Sequence, residues 1–299
     1  MYISAIYHKP GKRRLITSCV MAGILCITGG ACKKLQPAND IPPDAAVNLF
    51  NASQVIQATG PFDQKKIYVD GYDTTGSQYV YFNYQSGRPL EYPVETLAPG
   101  TVPGIPYMRL QAGSHEFTFT NAAKFKAGDI SSDFPAGTLH QLYLADGIPA
   151  SDSLATYNVL RVEEDRRQPA GKVRVRFVHL SPDAGNFKMY RMDANNNRLF
   201  SGLPAEITYG AASPYAELDT AGAINQRLVL HYFQGADTLS SLLSTSVPAE
   251  PGTSYVIVIN GFKGKHAIKN PTGRSQSGTV EYETINFEAT LAGYVRRSY

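Results

Sequence analysis

The chain has three cysteines in 299 residues, and none lies beyond Cys32. Everything after that position is therefore without an intrachain disulfide, a thiolate metal site or a cysteine nucleophile. A chain of this length buries enough surface to fold without covalent cross-links. An excess of one charge is missing too. Residues 1–31 carry Lys9, Lys12, Arg13 and Arg14 and no acid; without them the 28 Lys and Arg residues fall to 24, against 25 Asp and Glu. So balanced a chain has no electrostatic footprint for nucleic acid.

Catalytic motifs are also missing. His115-Glu116 lacks the second histidine of a zinc-binding His-Glu-x-x-His. There is no Gly-x-Ser-x-Gly elbow, no phosphate-cradling glycine loop and no calcium loop of alternating acids. The histidines that follow Cys32 (His115, His140, His179, His231 and His266) are not paired at metal-ligand spacing. A lone strand histidine such as His179 reads as packing or local hydrogen bonding. The sequence thus reads as a non-enzyme with no catalytic residue, metal or cofactor; a hydrolase with a dispersed site is the remote alternative.

A long hydrophobic run is missing as well. The apolar stretch Leu15–Ile27 is shorter than the roughly 20 residues of a membrane-spanning helix. With the basic segment before it and Gly29-Gly30-Ala31 after it, the stretch reads as a signal peptide over residues 1–31. Cys32 follows the small residues where a lipoprotein takes its lipid, and multiple acyl chains anchor stably. Ordinary secretion with a free thiol, or an uncleaved anchor, are the other outcomes. Lys33-Lys34 in place of an aspartate favours the outer membrane, with the membrane face left open. Residues 32–45, polar and with three prolines, read as the lipidated N-terminus and tether.

Beyond the tether no helical period appears. Short β-rich runs are cut by Gly, Pro, Asn and Asp, among them Ala46–Phe50, Lys66–Val69, Tyr79–Tyr84, His115–Thr120, Gln141–Ala145, Val159–Val162, Val173–His179, Arg227–Phe233 and Tyr255–Ile259. The pattern predicts an all-β protein with two tandem immunoglobulin-like β-sandwich domains, over 46–165 and 172–299. The charged stretch from Glu163 to Gly171 reads as an exposed linker. The halves repeat one order of motifs. Val47–Ser53 parallels Val175–Ser181, and Lys66-Ile-Tyr parallels Lys188-Met-Tyr. Pro106-Tyr107 parallels Pro214-Tyr215, and Gln141–Gly147 parallels Tyr255–Gly261. Such a series marks an internal duplication.

Val173-Arg-Val-Arg-Phe-Val-His-Leu-Ser-Pro-Asp-Ala-Gly185, with Pro214-Tyr215 and Pro251-Gly-Thr-Ser-Tyr255, resembles DUF4397, a domain of unknown function. The resemblance implies an extracytoplasmic β-sandwich, often in lipoproteins, with no established activity. The lipoprotein signal and the composition are similar to those of Bacteroidetes proteins. No catalytic residue is carried over.

Two segments are candidate binding sites. Tyr72, with Tyr79 and Tyr81 on one strand face, could stack on sugar rings; the alternative use of such aromatics is an interdomain contact. The connection 260–278, read as a basic Gly-rich loop, offers Lys263, Lys265 and His266 to an acidic glycan or lipid headgroups, or is a solvated loop. Together these readings point to a non-catalytic envelope binding or assembly module whose partners are the membrane through its anchor, and glycans or other envelope proteins. A structural spacer or adhesion subunit is the alternative.

Overall fold

The computed structural model describes residues 44–298, apart from 62–63, 72–78, 83–89, 95–101, 149–152, 166 and 236–240. Cys32, the signal segment, nearly all of the tether, and Tyr72 lie outside the described residues. The fold is nearly all β, as the alternating runs predict.

The first half contains β1 (Ala45–Asn51), β2 (Lys66–Val69), β3 (Tyr79–Tyr81), β4 (Glu91–Tyr92), β5 (Met108–Leu110), β6 (Gly113–Thr120), β7 (Lys126–Phe134), β8 (Leu139–Asp146) and β9 (Tyr157–Glu164). A short helix, α1 (Gln54–Ala58), follows β1. It starts where the Ser53 side chain accepts from Ile56 N–H, an N-cap that satisfies one of the orphan donors of the first turn. The second half contains β10 (Val173–His179), β11 (Lys188–Met192), β12 (Arg198–Leu199), β13 (Ala211–Ala212), β14 (Ala216–Leu218), β15 (Arg227–Phe233), β16 (Leu243–Pro248), β17 (Ser254–Asn260), β18 (His266–Arg274), β19 (Val280–Phe287) and β20 (Ala292–Arg297).

The two halves repeat one topology. The inner sheet of the first runs β4-β1-β8-β9, with β5 also on β1; that of the second runs β13-β10-β17-β20, with β14 also on β10. The outer sheets run β3-β2-β6-β7 and β12-β11-β15-β16. Each inner sheet holds one parallel pair, β1 with β8 and β10 with β17. The hairpin β18–β19, between β17 and β20, and the helix α1 have no counterpart among the described residues of the other half.

Side-chain alternation along the inner strands builds three cores from four layers. Val47, Leu49, Leu142 and Leu144 face the first outer sheet and pack on Ile67, Phe117 and Phe119. Val175, Phe177, Tyr255 and Ile257 face the second outer sheet and pack on Met189, Leu230 and Tyr232. The intervening residues meet between the inner sheets: Phe50, Tyr143 and Val162 of one half against Val178, Val256 and Val258 of the other. The layers therefore run outer, inner, inner, outer. Strands buried on both faces need apolar residues at successive positions, which is why β8 and β17 read as continuous runs. Each such side chain stabilises the fold by about 1.5–3 kcal/mol.

Three expectations change. The segment 260–278 is no elementless loop: most of it forms β18 and the turn into β19, with Ile268, Phe287 and Phe262 packed on Val55 of the first half. Backbone bonds of 2.7 and 2.9 Å tie Lys269 to Ser153 and Ala155. The stretch from Glu163 is no solvated hinge at its start. Glu164 is buried at the end of β9, where its carboxylate accepts from Gln141 of the same sheet and, across the inner-sheet interface, from Arg176, Tyr215 and Ser298. The third change is register. With Val47 matched to Val175, the ladders place His140 with Tyr255 and Leu142 with Ile257, so the sequence parallel of 141–147 with 255–261 is one residue out. A slip of one residue would turn every side chain to the wrong face.

Candidate functional site

The second outer sheet turns Met189, Leu228, Leu230 and Tyr232 inward, so Tyr190, His231 and Phe233 point away from the core. A tight turn feeds the neighbouring edge. Asp193 accepts from the backbone N–H of Asn195 and Asn197 and from the Asn197 side chain, and Asn196 takes a positive φ of 62°. The Asn197 bonds, foremost, hold the Asp193 carboxyl below its ordinary pKa. This turn delivers Arg198 and Phe200 onto the same face.

The result is an aromatic platform. The Tyr190 ring lies 5.1 Å from His231 at an interplanar angle of 13°, 5.8 Å from Phe200 and 5.9 Å from Phe233. Phe200 meets Phe233 edge-on at 6.3 Å. The Arg198 guanidinium sits 5.3 Å above Tyr190. Burial, then the Arg198 charge, pushes the His231 pKa down, so the stacked imidazole is uncharged at neutral pH. Tyr190 and Phe233 are buried beneath this group, whereas Phe200 remains 50% exposed. Beside it runs a groove of about 280 Å³ lined by Lys188, Met189, Phe200, Leu203, Pro204 and Phe233. Apolar ring faces beside a cation and amide groups can hold a flat ligand with polar edges.

The expected binding residues fall elsewhere. Tyr79 is exposed on β3 of the first outer sheet, with Lys66 Nζ 3.8 Å from its ring centroid. Tyr81 lies on the same strand, paired with Lys66 in the ladder. Lys263, Lys265 and His266 do come together, but around partners of their own. Asp183 accepts from Lys263 N–H at 2.7 Å, from Gly264 N–H at 2.8 Å and from His266 Nε2 at 2.8 Å. Partial burial pushes the Asp183 carboxyl up, but the bonds from His266 and the two backbone N–H groups outweigh it and hold its pKa below the ordinary value. Lys263 Nζ donates to Gln234, and Lys265 pairs with Glu288. The group braces the turn after β10 and offers few spare donors to a ligand.

His179 donates from Nε2 to Gly185 O and accepts from Ser181 N–H at Nδ1, the local bonding expected of it. His115 meets Asp70 at 2.6 Å and Gln111 O at 2.7 Å, beside Ser132. Both ring nitrogens face oxygen acceptors, so this Asp–His pair presents no lone pair to the serine as a general base. A wider cleft of about 810 Å³ at the end of the second sandwich is lined by Arg227, Glu250, Tyr255 and Arg297. Its charged groups bond one another or Ser246. The platform itself escaped sequence reasoning because its rings come from three strands. The repeated Lys-x-Tyr of β2 and β11 was the available signal.

No curated protein matches the chain. Among solved structures it is similar to the TIE protein of Bacillus anthracis, at 7% identity and TM-score 0.21, over 85% of this chain and 44% of that one. It is similar to a leucine-rich repeat protein of Bacteroides thetaiotaomicron at 13% identity and TM-score 0.18, over 73% of this chain and 26% of that one. With the shaft pilin SpaA of Lactobacillus rhamnosus GG it shares 10% identity at TM-score 0.16, over 72% of this chain and 97% of that one. The chain thus spans less than half the length of the first two. The family match begins within the first half and ends in β11. It is compatible with a non-catalytic envelope or adhesion module. A family model for DUF4397, a domain of unknown function, matches residues 72–190 of the chain.

Proposed function

We propose that this chain is a non-catalytic envelope module that binds glycans on the aromatic platform of its second outer sheet. The observation that carries the reading is Phe200, half exposed against buried Tyr190 and Phe233, with Arg198 over the same cluster. A pyranose ring presents C–H groups on its faces and hydroxyls at its rim. The exposed Phe200 ring, backed by Tyr190 and Phe233, matches the faces, and Arg198, Lys188 and the Asn195–Asn197 turn match the rim. Each well-placed aromatic contact contributes roughly 0.5–1.5 kcal/mol. A shallow platform of this kind gives dissociation constants of about micromolar to millimolar. In the same reading, lipid on Cys32 holds the module on the outer membrane, as the signal sequence supports.

Full-length protein and its Phe200→Ala variant, titrated with cello-, xylo- and chito-oligosaccharides, test the reading. Binding to at least one of them, weakened roughly two- to tenfold by Phe200→Ala, is the expected result. No binding to any, or binding indifferent to Phe200, would overturn it. A structural spacer is the second reading, favoured by the polar bonds of Glu164 with Arg176 and of Arg296 with Asn48, Gln141 and Glu91 that join the two inner sheets.

A further inference from the structure

The platform has a positional twin. Lys66-Ile67-Tyr68 of β2 and Lys188-Met189-Tyr190 of β11 occupy equivalent places in the duplicated topology. Ile67 and Met189 enter their cores, which turns Tyr68 and Tyr190 outward. In the first outer sheet Tyr68 lies directly opposite Tyr79. In the second, Arg191 pairs with Leu199, so the next residue, Phe200, stands opposite Tyr190. Both sites therefore carry the same three parts: a buried tyrosine on a central strand, a half-exposed aromatic opposite it on the edge, and a cation over a ring. Tyr79 is 45% exposed and Phe200 50%. The ring centroids are 6.0 Å apart in the first pair and 5.8 Å in the second. Lys66 lies over Tyr79 as Arg198 lies over Tyr190.

The twins face away from each other. Their sheets are the outermost of four layers, and sheets stack about 10 Å apart, so roughly 30 Å of protein separates them. A single glycan strand lying on one face cannot reach the other without wrapping round the molecule. Resting on the glycan reading above, we infer that the chain is two-headed: the Tyr79 face is a second saccharide site, and the two faces bridge separate glycan strands. Lys66 backs the Tyr79 ring and holds it out as an edge for a sugar to stack on.

Calorimetric titration of the full-length protein with whichever cello-, xylo- or chito-oligosaccharide it binds counts sites per chain and is blind to how many chains share a micelle. The expected result is two sites in the wild type, one in Tyr79→Ala, one in Phe200→Ala and none in the double variant. Tyr79→Phe, which keeps the ring, should retain two and so separates loss of stacking from loss of folding. One site, abolished by Phe200→Ala and untouched by Tyr79→Ala, would overturn the two-headed arrangement and leave the proposed function standing. Absence of any binding would overturn both.

Discussion

Arg296, on the last strand of the second half, reaches across the inner-sheet interface to Glu91 of the first half, with 2.5 Å between Nη2 and Oε2. Both side chains are buried. The guanidinium also donates to Asn48 at 2.8 Å and to Gln141 at 3.0 Å, and it lies 4.6 Å over the Phe50 ring. A buried charge so fully bonded stabilises little relative to an apolar replacement, but it is costly to leave alone. Glu91→Ala is therefore expected to destabilise the fold by about 3–5 kcal/mol. The double change Glu91→Leu with Arg296→Met should recover much of that loss. Urea denaturation of the three proteins measures both, and a Glu91→Ala variant as stable as the parent would refute the account.

Asp146 gives the fold a pH dependence of defined sign. Burial raises its pKa to about 6, against bonds from Ser53 and from the N–H groups of Gln54 and Val55 that favour the charged form. The unfolded carboxyl titrates near 3.9. Between these values the folded state holds the proton more tightly, so this group's contribution falls as pH rises from about 4 to about 6, by up to about 1.4 kcal/mol per unit. Asp146→Asn should flatten that part of the stability profile while lowering stability overall, because an amide meets the N-terminal donors of α1 less well. Denaturation midpoints across this range decide it.

Within the platform, the pKa of His231 is held down by burial first and by Arg198 second. An NMR titration should place its midpoint below the ordinary 6.5. Arg198→Ala should raise that midpoint and loosen Phe200 together with it. An unchanged midpoint would mean that the guanidinium does not act on the ring.

The hairpin β18–β19 clasps the first half largely through Ile268, 3% exposed among Val55, Phe262 and Phe287. Ile268→Ala should cost about 2–5 kcal/mol. Hydrogen exchange should show the loss first at the Ser153–Lys269 backbone bond, before the inner sheets open. Uniform loss across all four sheets would contradict a separable clasp.

The strands with apolar runs were legible in the sequence because burial on both faces favours apolar residues at most successive positions. So was the duplication, since paired motifs recur in order. The short strands β4, β5 and β13 were not, because two or three residues carry no period and are strands only by virtue of β1 and β10 beside them. The hairpin was missed for a different reason: polar Lys269, Asn270, Thr272 and Arg274 interrupt its few apolar residues, and Pro271 sits at its bulge. The Tyr79 exposure was readable from a strand of alternating aromatics. Phe200 was not, because its significance depends on Tyr190 and Phe233, which only the sheet brings alongside. The basic residues at 263–266 looked free in one dimension; their acceptors, Asp183 and Gln234, come from distant turns.

The central core between the inner sheets has a consequence for how such a chain can vary. Phe50, Tyr143 and Val162 pack against Val178, Val256 and Val258 of the other copy. A cut between β9 and β10 would bare a hydrophobic sheet on each fragment, and such surfaces aggregate. The duplicated gene segments are no longer interchangeable beads. Neither copy can bury its inner sheet without the other, so the pair folds as one unit.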